Sequence, residues 1–153
     1  MNLRPGDKAP DLCLPSSNGS TINLSEYVER DVILFSFPAA MSASCTIEVH
    51  TFQNLLSEFD QHGYAVLGIS PDSVEKLQEF CKLEGLTFPI LSDPSKEVLA
   101  KWDLLVDKVK EGKTVKGVSR AVVVIGKGGI IGEVFTSVDP AEIGNNLKSH
   151  LKF

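Results

Sequence analysis

The sequence predicts an α/β fold: a single domain, residues 1–153, with a central mixed β-sheet flanked by helices. Three observations lead there. Residues 32–37, 64–69 and 118–125 are near-continuous apolar runs of strand length, the pattern of strands covered on both faces. Between the first two runs, Val49, Phe52, Leu56 and Phe59 recur at helical spacing, and a strand–helix–strand unit makes its two strands parallel. The run 118–125 is joined to 130–135 by Gly126-Lys127-Gly128-Gly129, a connection short enough for antiparallel neighbours.

Taken in order, residues 1–10 are extended, because Pro5 and Pro10 bar a helix. Asn18-Gly19 between residues 11–14 and 20–23 signals a hairpin, with Cys13 inside its first strand as a small buried hydrophobe. Ser25 caps a short turn through Tyr27. After the strand 32–37 comes a helix over 45–61, ended by His62-Gly63. The strand 64–69 leads to Ser70-Pro71-Asp72-Ser73, a start signal for a helix over 73–84, which stops at Gly85 and carries Val74, Leu77 and Cys81 on one face. Phe88-Pro89-Ile90-Leu91 is a short edge strand, since proline cannot donate to a ladder. Asp93-Pro94 opens a helix over 95–102 with Val98, Leu99 and Trp102 inward. Residues 108–116, rich in lysine around Gly112, read as a solvated loop, or else as a patch for an acidic partner. Asp139-Pro140 starts a last helix with Ile143, Leu147 and Leu151 on one face. This order of elements fits a thioredoxin-like architecture.

Composition narrows the function. With 42% hydrophobic residues and 153 positions the chain can bury a real core. A net charge of −5 argues against nucleic acid or an anionic membrane as the main partner. No apolar run reaches the ~20 residues of a membrane span, and the first residues lack the apolar core of a secretory signal, so a cytoplasmic protein is expected. Three cysteines are too few for a disulfide scaffold. The three histidines form no close pair with a cysteine or carboxylate at metal-ligand spacing, and no glycine-rich phosphate loop follows a strand. No metal and no cofactor are expected.

The chemistry points to one stretch, residues 37–48. A strand stops at Pro38, a loop of small residues follows, and a helix begins near Cys45, four residues before Val49 on the same stripe. That places a thiol in the first turn of a helix, where unpaired N–H groups and the positive end of the helix dipole gather. The position suits a buried structural cysteine as well as a thiolate. An ordinary thiol is only a few per cent ionised at pH 7, and holding one mostly as thiolate takes about 3.4 kcal/mol of preferential stabilisation. A helix N-terminus supplies roughly 0.3–2 kcal/mol. A fixed cation must supply the rest, while Glu48 in the same turn opposes it unless paired. Arg30 and Arg120 are the candidates. Arg120 is preferred, because it stands at the mouth of the apolar strand 121–125 rather than in a polar approach.

These residues resemble a family. Pro38, Ser42 and Cys45 match the peroxiredoxin signature of proline, three residues, threonine or serine, two residues, cysteine, and Thr46 and Glu48 match what commonly follows. Residues 5–11, 67–73 and 88–93 resemble further family segments in the same order, and Arg120 falls where the family keeps an arginine. The resemblance is closest to the Q-type, or bacterioferritin-comigratory, branch.

The resemblance implies a thiol peroxidase on a thioredoxin-like fold. Cys45 would attack the peroxide, Ser42 would hydrogen-bond it, Arg120 would stabilise charge and Pro38 would shield the site from water. Two departures stand out. Serine replaces the commoner threonine at position 42, and His50 stands where many members of the branch carry a resolving cysteine. His50 itself reads as a surface residue. Cys81 is the replacement candidate, either a resolving thiol forming a disulfide with Cys45 or a core thiol. The implied partners are a peroxide substrate and thioredoxin or a similar dithiol reductant, with the chain a monomer or weak homodimer. A one-cysteine peroxidase served by an outside thiol, and a redox sensor passing oxidation to a partner, remain alternatives. The absence of Cys-x-x-Cys disfavours a disulfide reductase.

Overall fold

In a computed structural model, residues 3–136 and 138–152 are described. The apolar runs form a five-stranded sheet. Strand β3 (Asp31–Ser36) lies between β4 (Tyr64–Ser70), parallel to it, and β8 (Ala121–Gly126), antiparallel to it. Strand β5 (Ile90–Ser92) adds parallel to β4 at one edge, and β9 (Ile130–Phe135) adds antiparallel to β8 at the other. The sheet is therefore mixed, as the connection lengths require.

Side-chain alternation sends each strand's residues into two separate cores. Val32, Leu34, Leu67, Ile69, Val123 and Ile125 point to one face, with Trp102 and Leu99. Ile33, Phe35, Val66, Val122 and Val124 point to the other. That second face is covered by α1 (Ala43–Gln61), α2 (Val74–Glu84) and α4 (Ile143–Leu151). The buried stripe of α1, Val49, Phe52 and Phe59, sets its angle on the sheet, and Phe52 stacks on Phe35 with ring centroids 4.2 Å apart. Each such fully buried side chain contributes about 1.5–3 kcal/mol.

The first face is covered by the hairpin of β1 (Cys13–Pro15) and β2 (Thr21–Asn23), a 3₁₀ turn at Leu24–Tyr27 and the short α3 (Glu97–Lys101). The start of the chain is not simply extended. It turns at Gly6 (φ 95°) and then bonds along β9, with Gly6 N–H donating to the Ile131 carbonyl at 2.7 Å. Met1 and Asn2 lie outside the described residues.

Four local expectations are corrected. Cys13 is exposed rather than buried, because Leu12 and Ile22 carry the hairpin's inward side. Asn23 rather than Ser25 caps the 3₁₀ turn, accepting from the Ser25 N–H at 3.1 Å. Helix α3 starts at Glu97 rather than 95, since Lys96 is left-handed (φ 62°) and the Asp93 carboxylate accepts from the Leu99 N–H at 2.8 Å. The lysine-rich stretch is not a loop. It forms a hairpin of β6 (Leu105–Lys110) and β7 (Lys113–Val118), closed by Glu111 and Gly112 at φ 55° and 75°. Two positive φ values in a two-residue connection match the twist of paired strands. Consequently β8 begins at Ala121, and Ser119 and Arg120 form the link before it. Among the described residues, no helix is long and apolar enough to cross a membrane.

Candidate active site

Strand β3 ends at Ser36, and the chain crosses Pro38 to Met41 before α1 begins. Two anchors hold that crossing. The Ala40 N–H donates to the Asp72 carboxylate at 2.7 Å, and Asp72 is itself fixed by Ser70 and Lys76. Met41 takes a left-handed φ of 69°. Ser42 then caps α1, its hydroxyl accepting from the Cys45 N–H at 3.4 Å and donating to the Ala39 carbonyl at 3.0 Å. The helix thus starts two residues earlier than the hydrophobic spacing indicates, and Cys45 stands in its first turn. The thiol is fully buried.

Arg120 reaches this thiol from 75 residues away, its Nη2 3.3 Å from Sγ. Its other arm, Nη1, donates to Glu48 Oε1 at 2.6 Å. Ser36 sets its backbone, donating to the Ser119 carbonyl at 2.7 Å and accepting from the Ala121 N–H at 3.2 Å, one residue to either side. The other candidate, Arg30, pairs with Asp60 at 3.4 Å at the opposite end of α1. At an effective dielectric of about 20, a guanidinium 3.3 Å from a thiolate attracts it by about 5 kcal/mol. That exceeds the helix contribution.

Glu48 is buried in the same turn. Burial pushes its carboxyl up to about 7, against the pull of Arg120. For Arg120, burial acts downward, but its contacts with Cys45 and Glu48 outweigh it, and the guanidinium is raised. Among the described residues Glu48 Oε2 has no hydrogen-bond partner, so only one carboxylate oxygen is compensated there.

Pro38 and Arg120 also line a cavity of about 350 Å³ shared with the β6–β7 hairpin. Cys81 lies apart from the Arg120 cluster, half-buried on α2, and packs against the same apolar core as Cys45. Partial burial pushes the Cys81 thiol up, while a hydrogen bond with Ser17 pulls it down. All three cysteines are free thiols. His50 is at the surface as expected, its Nε2 2.7 Å from Glu84 Oε1. Among the described residues, no three His, Cys, Asp or Glu side chains converge into a metal-binding group.

Residues 5–134 match the AhpC/TSA family model. The chain belongs to that family. A putative peroxiredoxin of Mycobacterium tuberculosis is 45% identical over 129 residues, 84% of this chain and 82% of that one. Peroxiredoxin Bcp of Escherichia coli is 34% identical over 152 residues, 97% of each. Among solved structures, the bacterioferritin comigratory protein of Xanthomonas campestris, described for alkyl peroxide reduction, superposes with a TM-score of 0.87 at 28% identity, covering 92% of this chain and 90% of that one. A peroxiredoxin Q variant of Xylella fastidiosa gives 0.88 at 28% identity over 99% of each. The fold is thioredoxin-like, as the element order predicts, and the protein is a peroxiredoxin of the Bcp, or Q, kind. It is a thiol peroxidase, with a peroxide substrate and a thiol reductant.

The sequence reading missed Ser36 and Asp72, which position Arg120 and the Pro38–Met41 crossing. A lone hydroxyl inside the apolar run 32–37 was the available signal for Ser36. In the sequence Asp72 stands as part of a helix start and of the family-like segment 67–73, with no sign of its partner at Ala40.

Proposed function

We propose that Cys45 is the peroxidatic thiolate and that Cys81 resolves its sulfenic acid, with thioredoxin or a similar dithiol as reductant. The observation that carries the first part is the 3.3 Å contact between Arg120 Nη2 and Cys45 Sγ. The thiolate attacks the terminal peroxide oxygen. An S–O bond forms, the O–O bond breaks, and the leaving oxygen departs as water or alcohol after gaining a proton. Cys45 is left as a sulfenic acid. Arg120 spreads the charge that develops on both oxygens. Pro38 shields the sulfur from bulk water, and Ser42 turns its hydroxyl from the Ala39 carbonyl to the peroxide. Serine makes that turn readily, lacking the methyl that restricts threonine. The Cys81 thiol then displaces water from the sulfenic acid, giving a disulfide.

Residues 1–153 act in this reading as one peroxidase domain, working as a monomer or weak homodimer in the cytoplasm. The single domain is supported beyond the matched segment by the packing of α4 on α1, where Lys148 pairs with Glu58 at 2.6 Å. Bridged cysteines need Cα atoms about 4.4–6.8 Å apart, so part of α1 or α2 unwinds before the bond closes.

The test is peptide mapping without reductant after one equivalent of hydrogen peroxide. A Cys45–Cys81 cross-link is expected. Sulfenic or sulfinic acid on Cys45 alone would make Cys81 a core thiol and the protein a one-cysteine peroxidase. An unmodified Cys45 would remove it from the peroxidatic role.

A further inference from the structure

We infer that Asp72 is a positioning residue for peroxide attack, its carboxylate clamping residues 38–41 in the arrangement that Cys45 needs and acting through Ala40 rather than on the sulfur itself. This inference rests on the reading of Cys45 as the peroxidatic thiolate and adds a residue to that site. Residues 38–41 do not hold themselves. Met41 takes a φ of 69°, a region that is costly for a residue with a side chain. Such a conformation persists only where the surroundings impose it. Among the described residues, the bond from the Ala40 N–H to Asp72 Oδ2, at 2.7 Å, is the one hydrogen bond that ties residues 38–41 to an element other than the start of α1. Its length is that of a bond to a charged acceptor, roughly twice as strong as one to a neutral oxygen.

Asp72 can serve as a fixed post because it is itself held on every side. The Ser70 hydroxyl donates to the same Oδ2 at 3.0 Å, and the Lys76 ammonium stands 3.3 Å from Oδ1. Its main chain is tied as well. The Asp72 N–H donates to the Ser70 hydroxyl at 3.2 Å, and its carbonyl accepts from the Ser92 hydroxyl at 2.5 Å. Ser70 and Ser92 face each other at the paired ends of β4 and β5, and both are buried. A buried hydroxyl is costly unless it is bonded. Both of these hydroxyls donate to Asp72, so the carboxylate is referenced to the sheet rather than to a surface loop.

From Ala40 the effect reaches the sulfur in two short steps. The Ser42 hydroxyl donates to the Ala39 carbonyl and accepts from the Cys45 N–H, so it is set by residues 38–41 on one side and by α1 on the other. Phe37 and Ala40 pack in the same apolar core as Cys45, whose thiol has no exposed surface. Without Asp72, Met41 relaxes, Ser42 leaves the place from which it meets the peroxide, and the sulfur becomes uncovered. The thiolate itself is not removed, since Arg120 reaches it from the other side of the sheet's end. Loss of the clamp therefore lowers reaction with a peroxide that needs Ser42 while raising reaction with any electrophile that needs only access.

The experiment measures two second-order rates at Cys45 in the reduced protein: oxidation by hydrogen peroxide in stopped flow, and alkylation by iodoacetamide followed on the Cys45 peptide by mass spectrometry. Asp72→Ala should slow oxidation about tenfold and speed alkylation about threefold. Asp72→Asn keeps an oxygen for the Ala40 N–H and should bring both rates to within about threefold of the wild type. Should Asp72→Ala fail to fold, as judged by circular dichroism and Tm, Ser92→Ala loosens the post from behind and should move the same two rates in the same opposite directions, by about twofold. Two rates that fall together would mark a loss of structure rather than of position and would overturn the inference, as would two rates that stay put while the wild type oxidises normally. A wild-type Cys45 that iodoacetamide alkylates but hydrogen peroxide leaves unmodified would overturn the peroxidatic reading and this inference with it.

Discussion

Glu48 offers the sharpest physical test of the site. Its carboxyl has no exposed surface, and burial pushes it from 4.5 up to about 7 despite Arg120. A carboxyl raised in the folded state holds its proton more tightly there than in the unfolded chain. Between about pH 4.5 and 7 the folded state therefore binds more protons, and the unfolding free energy falls as pH rises. The contribution is fully present below about pH 4.5 and is lost as pH climbs through about 7. The gap between those values corresponds to about 3 kcal/mol. Glu48→Gln keeps the shape and an oxygen for Arg120 but has nothing to titrate. Urea unfolding of the reduced wild type and variant across this range isolates the group, because every other carboxylate is common to both. The variant should gain about 3 kcal/mol over the wild type between pH 4.5 and 8. A difference that stays flat would mean that Arg120 keeps Glu48 ionised throughout, and the argument from burial would fail.

Other expectations are simpler. Arg120→Met should lower kcat/KM for hydrogen peroxide by about 10²–10³-fold in stopped-flow assays, and Arg120→Lys should recover only part, since an ammonium cannot hold Cys45 and Glu48 with a fork. Ser42→Ala removes the α1 cap and should cost about 1 kcal/mol in urea unfolding, whereas Ser42→Thr should keep both stability and turnover. Gly144→Ala drives a methyl into Leu55 and Thr51 of α1, with Thr51 Cγ2 2.8 Å from the new atom. It should destabilise by about 1–3 kcal/mol, read as a lowered Tm. Glu84→Ala removes the contact with His50 and, on the proposed cycle, should speed disulfide formation two- to fivefold, the equivalent of up to about 1 kcal/mol. An unchanged rate of Cys45–Cys81 cross-linking by quenched-flow mass spectrometry would count against that tie.

What the sequence made legible was whatever local periodicity encodes. The β3–α1–β4 unit follows from an apolar run, a helical stripe and a second run, each within one element. The β6–β7 hairpin did not declare itself, because three of its four valines, Val106, Val109 and Val115, reach solvent and lysines fill the intervening positions. Val109 is 79% exposed, so no buried face marks the ladder, and the turn at Glu111-Gly112 is the one local sign. Cys13 failed for a related reason: alternation assigns a strand two faces but does not say which is covered. At the site, Arg120 was legible because a charge at the mouth of a strand as apolar as 121–125 must have a partner. Glu48 was recognised as a problem without its solution, since nothing local states that both arms of one guanidinium are shared.

The arrangement also indicates which helix yields when the two sulfurs meet on the proposed cycle. Cys45 sits above a stripe of Val49, Phe52 and Phe59, all without exposed surface, and α1 is further held by α4. Unwinding α1 beyond its first turn would expose aromatic surface, at about 1.5–3 kcal/mol for each side chain. Helix α2 buries only Leu77 and Phe80. Its last turn carries Cys81, is closed by Gly85 in a left-handed conformation (φ 66°) and is tied across to α1 by Glu84. The first turn of α1 has its own release. On the proposed cycle Cys45 attacks as a thiolate, and its conversion to a sulfenic acid removes the negative charge facing the guanidinium 3.3 Å away. Oxidation therefore loosens the α1 turn, while the end of α2 is held by the His50–Glu84 pair and the Cys81–Ser17 hydrogen bond. That asymmetry places the larger movement in α2 and makes Glu84, rather than a core residue of α1, the position through which resolution is tuned.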